Sequence, residues 1–161
     1  MDWRSADDVE RVGVPVGLRP WLTETGSLTQ RLKRCCPDRF DLQVLDEHEV
    51  TTDPDTTLAL ALASPVRALQ REVHLRCVGV PRIHALSVIP LATLAGAGRA
   101  LAGLGERPLG DALFAHPAMA RGPIEIVLRD GVWGRRSVFR LAGAPLLVSE
   151  WFLPGLLECA R

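Results

Sequence analysis

Apolar and polar residues alternate along several segments of the chain, and this alternation predicts β-strands. Strands are predicted at residues 40–44, 69–77 and 82–89, with a turn at 79–81 between the second and the third. The sequence TTDPDTT, at residues 51–57, is expected to be a loop.

The last third of the chain has the pattern of a β-meander. Residues 124–128 alternate up to Asp130-Gly131, which is the strongest short hairpin signal in the sequence. A return strand at 133–141 and a turn at 143–145 lead to a last strand at 146–153. Because tight turns join these strands, they must be antiparallel.

Helices are expected at three places. Ser27 and Gln30 form a capping box, which opens a short helix that ends before Pro37. Further helices are predicted at 91–104 and 110–114. The pattern indicates an α+β fold with an irregular N-terminal segment, residues 1–20, and one domain at 21–161. Its central antiparallel sheet carries helices on one face.

Composition narrows the class of protein. The chain has 161 residues, 47% of them hydrophobic, and its 19 basic and 19 acidic residues cancel. One domain of this size can bury a sufficient core without disulfides, and the zero net charge argues against nucleic-acid binding. No apolar run is long enough for a membrane span, and the charged start does not resemble a signal peptide.

The four cysteines match neither a zinc site nor a secreted disulfide framework. They are Cys35, Cys36, Cys77 and Cys159. We therefore expect a reducing, cytoplasmic setting.

Two charged residues lie on apolar faces of predicted strands. Arg71 shares its face with Val73 and Leu75, and Glu150 lies in a nearly continuous apolar strand, on the face of Val148. A buried charge is costly unless it is paired or used. One interpretation is a structural Arg71–Glu150 salt bridge, or a Glu150 that reaches the sheet edge. The other is a pocket in which Arg71 binds an anion and Glu150 holds a proton more readily than an exposed glutamate.

Other candidate motifs carry less information about function. The segment 96–101 (GAGRAL) imitates a dinucleotide loop but follows a predicted helix and lacks the third glycine. The four histidines have no metal-ligand spacing, and Lys33 suits a helix C-terminus rather than a Schiff base. Arg135 faces inward with Trp133, which suggests that it is paired within the fold.

Six blocks of sequence together resemble the chorismate–pyruvate lyase family of ubiquinone biosynthesis, from about Trp21 to Pro154. The blocks are TGSLT (25–29), REV (71–73), SVIP (87–90), LGERPLG (104–110), WGRRS (133–137) and PLLVSEWFLP (145–154). The resemblance implies a central antiparallel sheet with an aromatic product enclosed under flap-like segments. It also implies a monomeric enzyme without a cofactor or a metal.

The resemblance also assigns site residues. Arg71 corresponds to the family's carboxylate-binding arginine, and Glu150 to its essential glutamate, which faces the hydroxyl of the product. Backbone contacts to the ligand correspond to Leu28 and Leu109. One departure is Leu86, where many relatives carry an arginine.

The implied reaction converts chorismate to 4-hydroxybenzoate and pyruvate, and formation of the aromatic ring drives it. In this scheme Arg71 binds the ring carboxylate through two hydrogen bonds, and Glu150 acts as a general acid toward the departing side chain. The alternative is a ligand-binding module without turnover, because the effector domains of certain bacterial transcription regulators resemble the same fold. Such domains normally follow a winged helix, for which twenty irregular residues are too few. A purely structural subunit leaves the buried charges unexplained.

Overall fold

A computed structural model describes residues 1–159 and shows one eight-stranded antiparallel sheet. The strand order is β1-β6-β7-β8-β4-β3-β2, and β5 pairs with β7 beyond the end of β6. The strands are β1 (Arg4–Ser5), β2 (Phe40–Thr51), β3 (Arg67–Cys77), β4 (Val80–Pro90), β5 (Met119–Arg121), β6 (Glu125–Arg129), β7 (Val132–Leu141) and β8 (Ala144–Phe152). The predicted α+β class is confirmed.

Six short helices accompany the sheet within residues 1–159. They are α1 (Arg19–Leu22), α2 (Leu28–Cys35), α3 (Pro54–Ala59), α4 (Leu91–Ala95), α5 (Leu109–Phe114) and α6 (Leu156–Cys159). Helix α2 begins as predicted, with the Ser27 hydroxyl accepting a hydrogen bond from the Gln30 amide. The capping box is only half formed, because the Gln30 side chain donates to Asp111 instead.

Three hairpin turns set the register of the central strands. Each has two residues with positive φ, a non-glycine followed by a glycine: Val78-Gly79, Asp130-Gly131 and Ala142-Gly143. This is the geometry of a type I′ turn, whose twist matches that of the flanking strands. The turn at Asp130-Gly131 is confirmed. The other two begin one residue earlier than predicted, and this shift changes which residues face each other across the strands.

Two predicted segments were wrong. Residues 51–57 are not a loop: β2 continues to Thr51, and the Asp53 carboxylate caps α3 by accepting from the Thr56 amide at 2.7 Å. The predicted helix at 91–104 ends at Ala95, because Gly96 adopts a non-helical conformation, and only a 3₁₀ turn at Arg99–Leu101 follows.

The first twenty residues contain short elements where we expected irregular chain. Strand β1 pairs with β6, and 3₁₀ turns occupy Ala6–Asp8 and Val16–Leu18. Val14 is buried in the same core cluster as Trp21. Strand β5 and helix α6 were also absent from the prediction, since both are too short to show a period.

Helices cover both faces of the sheet, although we expected one. Helices α2 and α5 lie on the face that carries Arg71 and Glu150, whereas Asp55 of α3 pairs with Arg136 on the opposite face at 2.7 Å. Leu86 of β4 also belongs to this opposite face, so the departure from the family lies away from Arg71 and Glu150.

One disulfide corrects the interpretation of the cysteines. Cys36, after α2, is bonded to Cys77, the last residue of β3, and Cys35 and Cys159 are free. The two partners are separated by 41 residues. They meet because α2 ends beside the point where β2 starts to pair with β3, which spacing along the chain does not reveal.

Candidate active site

A cavity lies between the sheet and the N-terminal ends of α2 and α5, where two clusters of buried apolar residues meet. It encloses about 580 Å³ of space, which includes open solvent at its mouth. Its apolar walls are Leu28, Leu42, Val73, Leu75, Ala85, Leu109, Leu113, Phe114, Phe139 and Val148. All four residues predicted for the site line it: Leu28, Arg71, Leu109 and Glu150.

Leu28 and Leu109 are the first residues of α2 and α5, and their helices approach each other closely. A Cβ at Gly110 would lie 3.0 Å from Thr29 Oγ1, so only glycine fits there without displacement. Asp111 joins the helices further, because it accepts hydrogen bonds from Lys33 and Gln30 of α2 at 2.8 Å. The amides that open a helix have no partner within it, so those of Leu28 and Leu109 need partners from outside their helices.

Arg71 is 3% exposed and already has partners in the protein. Its Nη1 donates to Glu47 Oε2 at 2.8 Å, and its Nη2 donates to the carbonyls of Gly105 and Arg107 at 2.6 and 3.2 Å. These contacts use three of the five N–H donors of a guanidinium. Nε and one N–H of Nη1 stay available. A carboxylate that accepts hydrogen bonds from two nitrogens on the same edge of the guanidinium would therefore displace a loop carbonyl or Glu47.

A β-bulge brings Glu47 to Arg71. Val44 faces Val73 and Asp46 faces Glu72, so Leu45 is an extra residue in β2. The insertion shifts the alternation of β2 by one position, and Glu47 then faces Arg71 on the cavity side of the sheet. The sequence pattern of β2 does not reveal this pairing.

Glu150 is paired with Arg135 and not with Arg71. Glu150 Oε2 accepts a hydrogen bond from Arg135 Nε at 2.8 Å, and the Glu150 side chain is 15% exposed. The proposed Arg71–Glu150 salt bridge is therefore absent. The carboxylate of Glu150 therefore has the buried guanidinium of Arg135 as its direct partner.

Arg135 is 1% exposed and joins β7 to the segment before α2. Besides Glu150, it donates from Nη1 to Glu24 O at 2.6 Å and to the Trp21 carbonyl at 3.3 Å. We expected pairing within the fold for Arg135 but did not place it in the site. The turn at Ala142-Gly143 puts Arg135 opposite Glu150, so the correct position of this turn would have placed Arg135 in the site.

Arg121 of β5 is a third arginine in the wall of the cavity, and sequence reasoning missed it. Burial is the main cause that lowers the pKa of Arg121 to about 10, and the nearby charge of Arg135 adds to this. Arg121 stays protonated at neutral pH. No pattern marked it, because its strand has three residues only.

The charged side chains of the wall are three arginines and one glutamate, which together favour an anionic ligand. Among residues 1–159, no group of three His, Cys, Asp or Glu side chains is arranged to hold a metal ion. The same part of the chain contains no helix with the length and apolarity of a membrane span. This fold and cavity define a small α+β domain with a pocket between a sheet and two helices that suits an organic anion.

Comparison with known proteins identifies the family. A family model described as chorismate lyase matches residues 1–161. The chain belongs to the chorismate lyase family.

Curated relatives agree with this assignment. A probable chorismate pyruvate-lyase from Methylococcus capsulatus is 43% identical over 157 residues, which cover 88% of this chain and 97% of the relative. A chorismate pyruvate-lyase from Serratia proteamaculans is 40% identical over 154 residues, covering 96% of this chain and 86% of the relative. The resemblance found in the six blocks is confirmed.

Solved structures share the fold at low sequence identity. The effector domain of PhnF from Mycobacterium smegmatis has a TM-score of 0.54 and 16% identity, covering 80% of this chain and 89% of that domain. The C-terminal domain of a histidine utilization repressor from Pseudomonas syringae has a TM-score of 0.55 and 10% identity, covering 73% of this chain and 93% of that domain. At these identities the likeness shows the fold alone.

Proposed function

We propose that this protein is a chorismate lyase that eliminates pyruvate from chorismate and releases 4-hydroxybenzoate. The observation that carries the proposal is one enclosed cavity, mainly apolar, into which Arg71 and Glu150 both project from different strands. Such a cavity suits a carbocyclic ring with anionic substituents. Membership of the chorismate lyase family supports the same substrate.

Arg71 binds the ring carboxylate in this proposal. Its Nε and the remaining N–H of Nη1 face no partner among residues 1–159, so they are available to a ligand. A charge-assisted hydrogen bond in a cavity that excludes water is stronger than one at the surface. The amides of Leu28 and Leu109 orient the ligand from the opposite wall.

Glu150 moves the proton. The reaction breaks the bond between the ring and the ether oxygen, removes one ring proton, and adds one proton to the departing enolpyruvyl group to give pyruvate. Glu150 is the one carboxylate in the wall, and its Oε2 is held by Arg135, which leaves Oε1 for the ligand. We propose that Glu150 accepts the ring proton and then, as the general acid, returns it to the side chain.

The alternative is a sensor domain that binds an aromatic acid without turnover. The fold it shares with transcription regulator domains supports that possibility. A carboxylate held beside the cavity by a buried arginine favours the lyase, because binding of an anion does not require it.

Incubation of purified protein with chorismate tests the proposal. After treatment with EDTA and without added cofactor, the protein should form 4-hydroxybenzoate and pyruvate in equal amounts, detected by chromatography and a coupled pyruvate assay. Strict dependence on an added metal, or binding without turnover, would contradict it. A cytoplasmic location and a monomeric state belong to the same proposal and are testable by cell fractionation and gel filtration.

A further inference from the structure

The three arginines of the cavity wall differ in how their charges are balanced. Arg71 Nη1 lies 2.8 Å from Glu47 Oε2, and Arg135 Nε lies 2.8 Å from Glu150 Oε2. Arg121 forms no ion pair with any of residues 1–159. The charges of Glu150 and Glu24 favour its protonated state, but neither carboxylate pairs with it directly.

The surroundings of Arg121 hold it in place with neutral groups. Its Nε donates to Ser137 Oγ at 3.0 Å, and its Nη1 donates to the carbonyls of Glu24 and Thr25 at 3.2 and 3.1 Å. The guanidinium carbon lies 4.9 Å from the centre of the Phe139 ring. These contacts leave the two N–H groups of Nη2 without a partner among residues 1–159, so the oriented guanidinium keeps donors for a ligand.

Arg121 is also close to a like charge. Its Nη1 and Nη1 of Arg135 donate to the same carbonyl oxygen, that of Glu24, at 3.2 and 2.6 Å. Two guanidinium groups this close repel each other, and desolvation adds to the cost of the charged state. An anion beside Arg121 in the cavity would offset this repulsion.

The strand order places Arg121 at the far side of the cavity from Arg71. Arg71 is on β3, Glu150 is on β8 two strands away, and Arg121 is on β5, beyond β7. Neighbouring strands are about 4.8 Å apart. A ligand that touches Arg71 and Glu150 therefore reaches Arg121 only with a substituent that extends past Glu150 toward β5.

We propose that Arg121 binds the second carboxylate of a dicarboxylate ligand, the one on the enolpyruvyl side chain, while Arg71 binds the ring carboxylate. This proposal rests on the proposed function for the identity of the ligand. It makes Arg121 the residue that distinguishes the substrate, which has two carboxylates, from the aromatic product, which has one. Loss of the side chain as pyruvate then breaks the link between the two ends of the cavity, and of the two arginines only Arg71 still binds the product.

Binding of two matched aromatic acids tests the role of Arg121 without any need for turnover. The probes are the dicarboxylate 3-(carboxymethoxy)benzoate and the monocarboxylate 3-methoxybenzoate. Isothermal titration calorimetry measures the binding of each. The native protein should bind the dicarboxylate more tightly, and Arg121→Gln should weaken its binding about tenfold to a hundredfold while changing the monocarboxylate less than about threefold. Arg140→Gln removes an exposed arginine of β7 that does not line the cavity, and it should change neither affinity.

Equal losses for both probes, or no loss for either, would overturn the assignment. If Arg121→Gln does not fold, Arg121→Lys carries the same comparison, because the lysine keeps the charge but not the second N–H group of the edge. Turnover separates this proposal from the proposed function. A native protein that prefers the dicarboxylate through Arg121 but does not convert chorismate refutes the lyase and retains the Arg121 site. A native protein that converts chorismate, with kcat/KM unaltered in Arg121→Gln, retains the lyase and refutes the site.

Discussion

Arg135 and Glu150 face each other across the β7–β8 ladder, and Arg135 Nε donates to Glu150 Oε2 at 2.8 Å. This pair holds one oxygen of a carboxylate that lines the cavity, and the other oxygen is not part of the pair. Since Arg135 also holds carbonyls of Trp21 and Glu24, the position of Glu150 depends on the segment that leads into α2. Hydrogen bonds from the Gly26 amide and then from Arg31 lower the pKa of Glu24, and the same contacts of the Glu24 side chain stabilise that segment.

Glu150→Gln should separate proton transfer from folding. The amide keeps the shape of the side chain and still accepts a hydrogen bond from Arg135, but it cannot carry the proton, so single-turnover rates should fall by roughly 10²–10⁴. The melting temperature of the same preparation is the control. A variant that melts much lower and yet keeps most of its specific activity would show that Glu150 is structural.

Arg71→Ala should weaken binding of 4-hydroxybenzoate by about 2–4 kcal/mol, because it leaves a carboxylate unpaired in a poorly solvated cavity. Arg71→Lys should recover only part of this loss, since lysine lacks the planar fork. Glu47→Gln is the matched control: it removes the carboxylate that competes for Arg71, so affinity for the product should stay equal or rise. Titration calorimetry measures all three, and unchanged affinity in a folded Arg71→Ala protein would remove Arg71 from the site.

Reduction of the Cys36–Cys77 bond should lower the free energy of unfolding. The bond closes a segment of 41 residues, and cross-links of this kind contribute roughly 2–4 kcal/mol. Urea unfolding with and without a phosphine reductant measures the change, after thiol titration has shown two free cysteines in the oxidised protein. A Cys36→Ser/Cys77→Ser double variant should not respond to the reductant. An oxidised native protein with an unchanged unfolding midpoint would contradict the prediction.

Gly134→Ala should destabilise the fold because Trp151 lies directly across the strand from this glycine. A Cβ at Gly134 would be 2.3 Å from Trp151 Cε3, so the ring must move, at a cost of about 1–3 kcal/mol. Trp151→Leu in the same chain should recover part of that loss, which a double-mutant cycle of thermal or urea unfolding measures. Additive effects of the two changes would rule out the steric explanation.

The alternation of the sequence determined much of the sheet, together with the side of each strand on which Arg71 and Glu150 lie. These properties follow from the two-residue period of a strand, which is local. The hairpin at Asp130-Gly131 and the hydroxyl cap of Ser27 were readable for the same reason, since each involves only neighbouring residues. The resemblance of the six blocks to the family then assigned the residues of the site.

Only the tertiary structure decided which charges meet. Glu47 reaches Arg71 through a bulge in β2, and Glu150 meets Arg135 because the β7–β8 turn starts at Ala142. Arg121 enters the cavity from a strand of three residues, too short for any periodicity. These pairings depend on the register between segments that are distant along the chain. A shift of one residue reverses the face of every side chain, so local patterns alone do not determine the pairings.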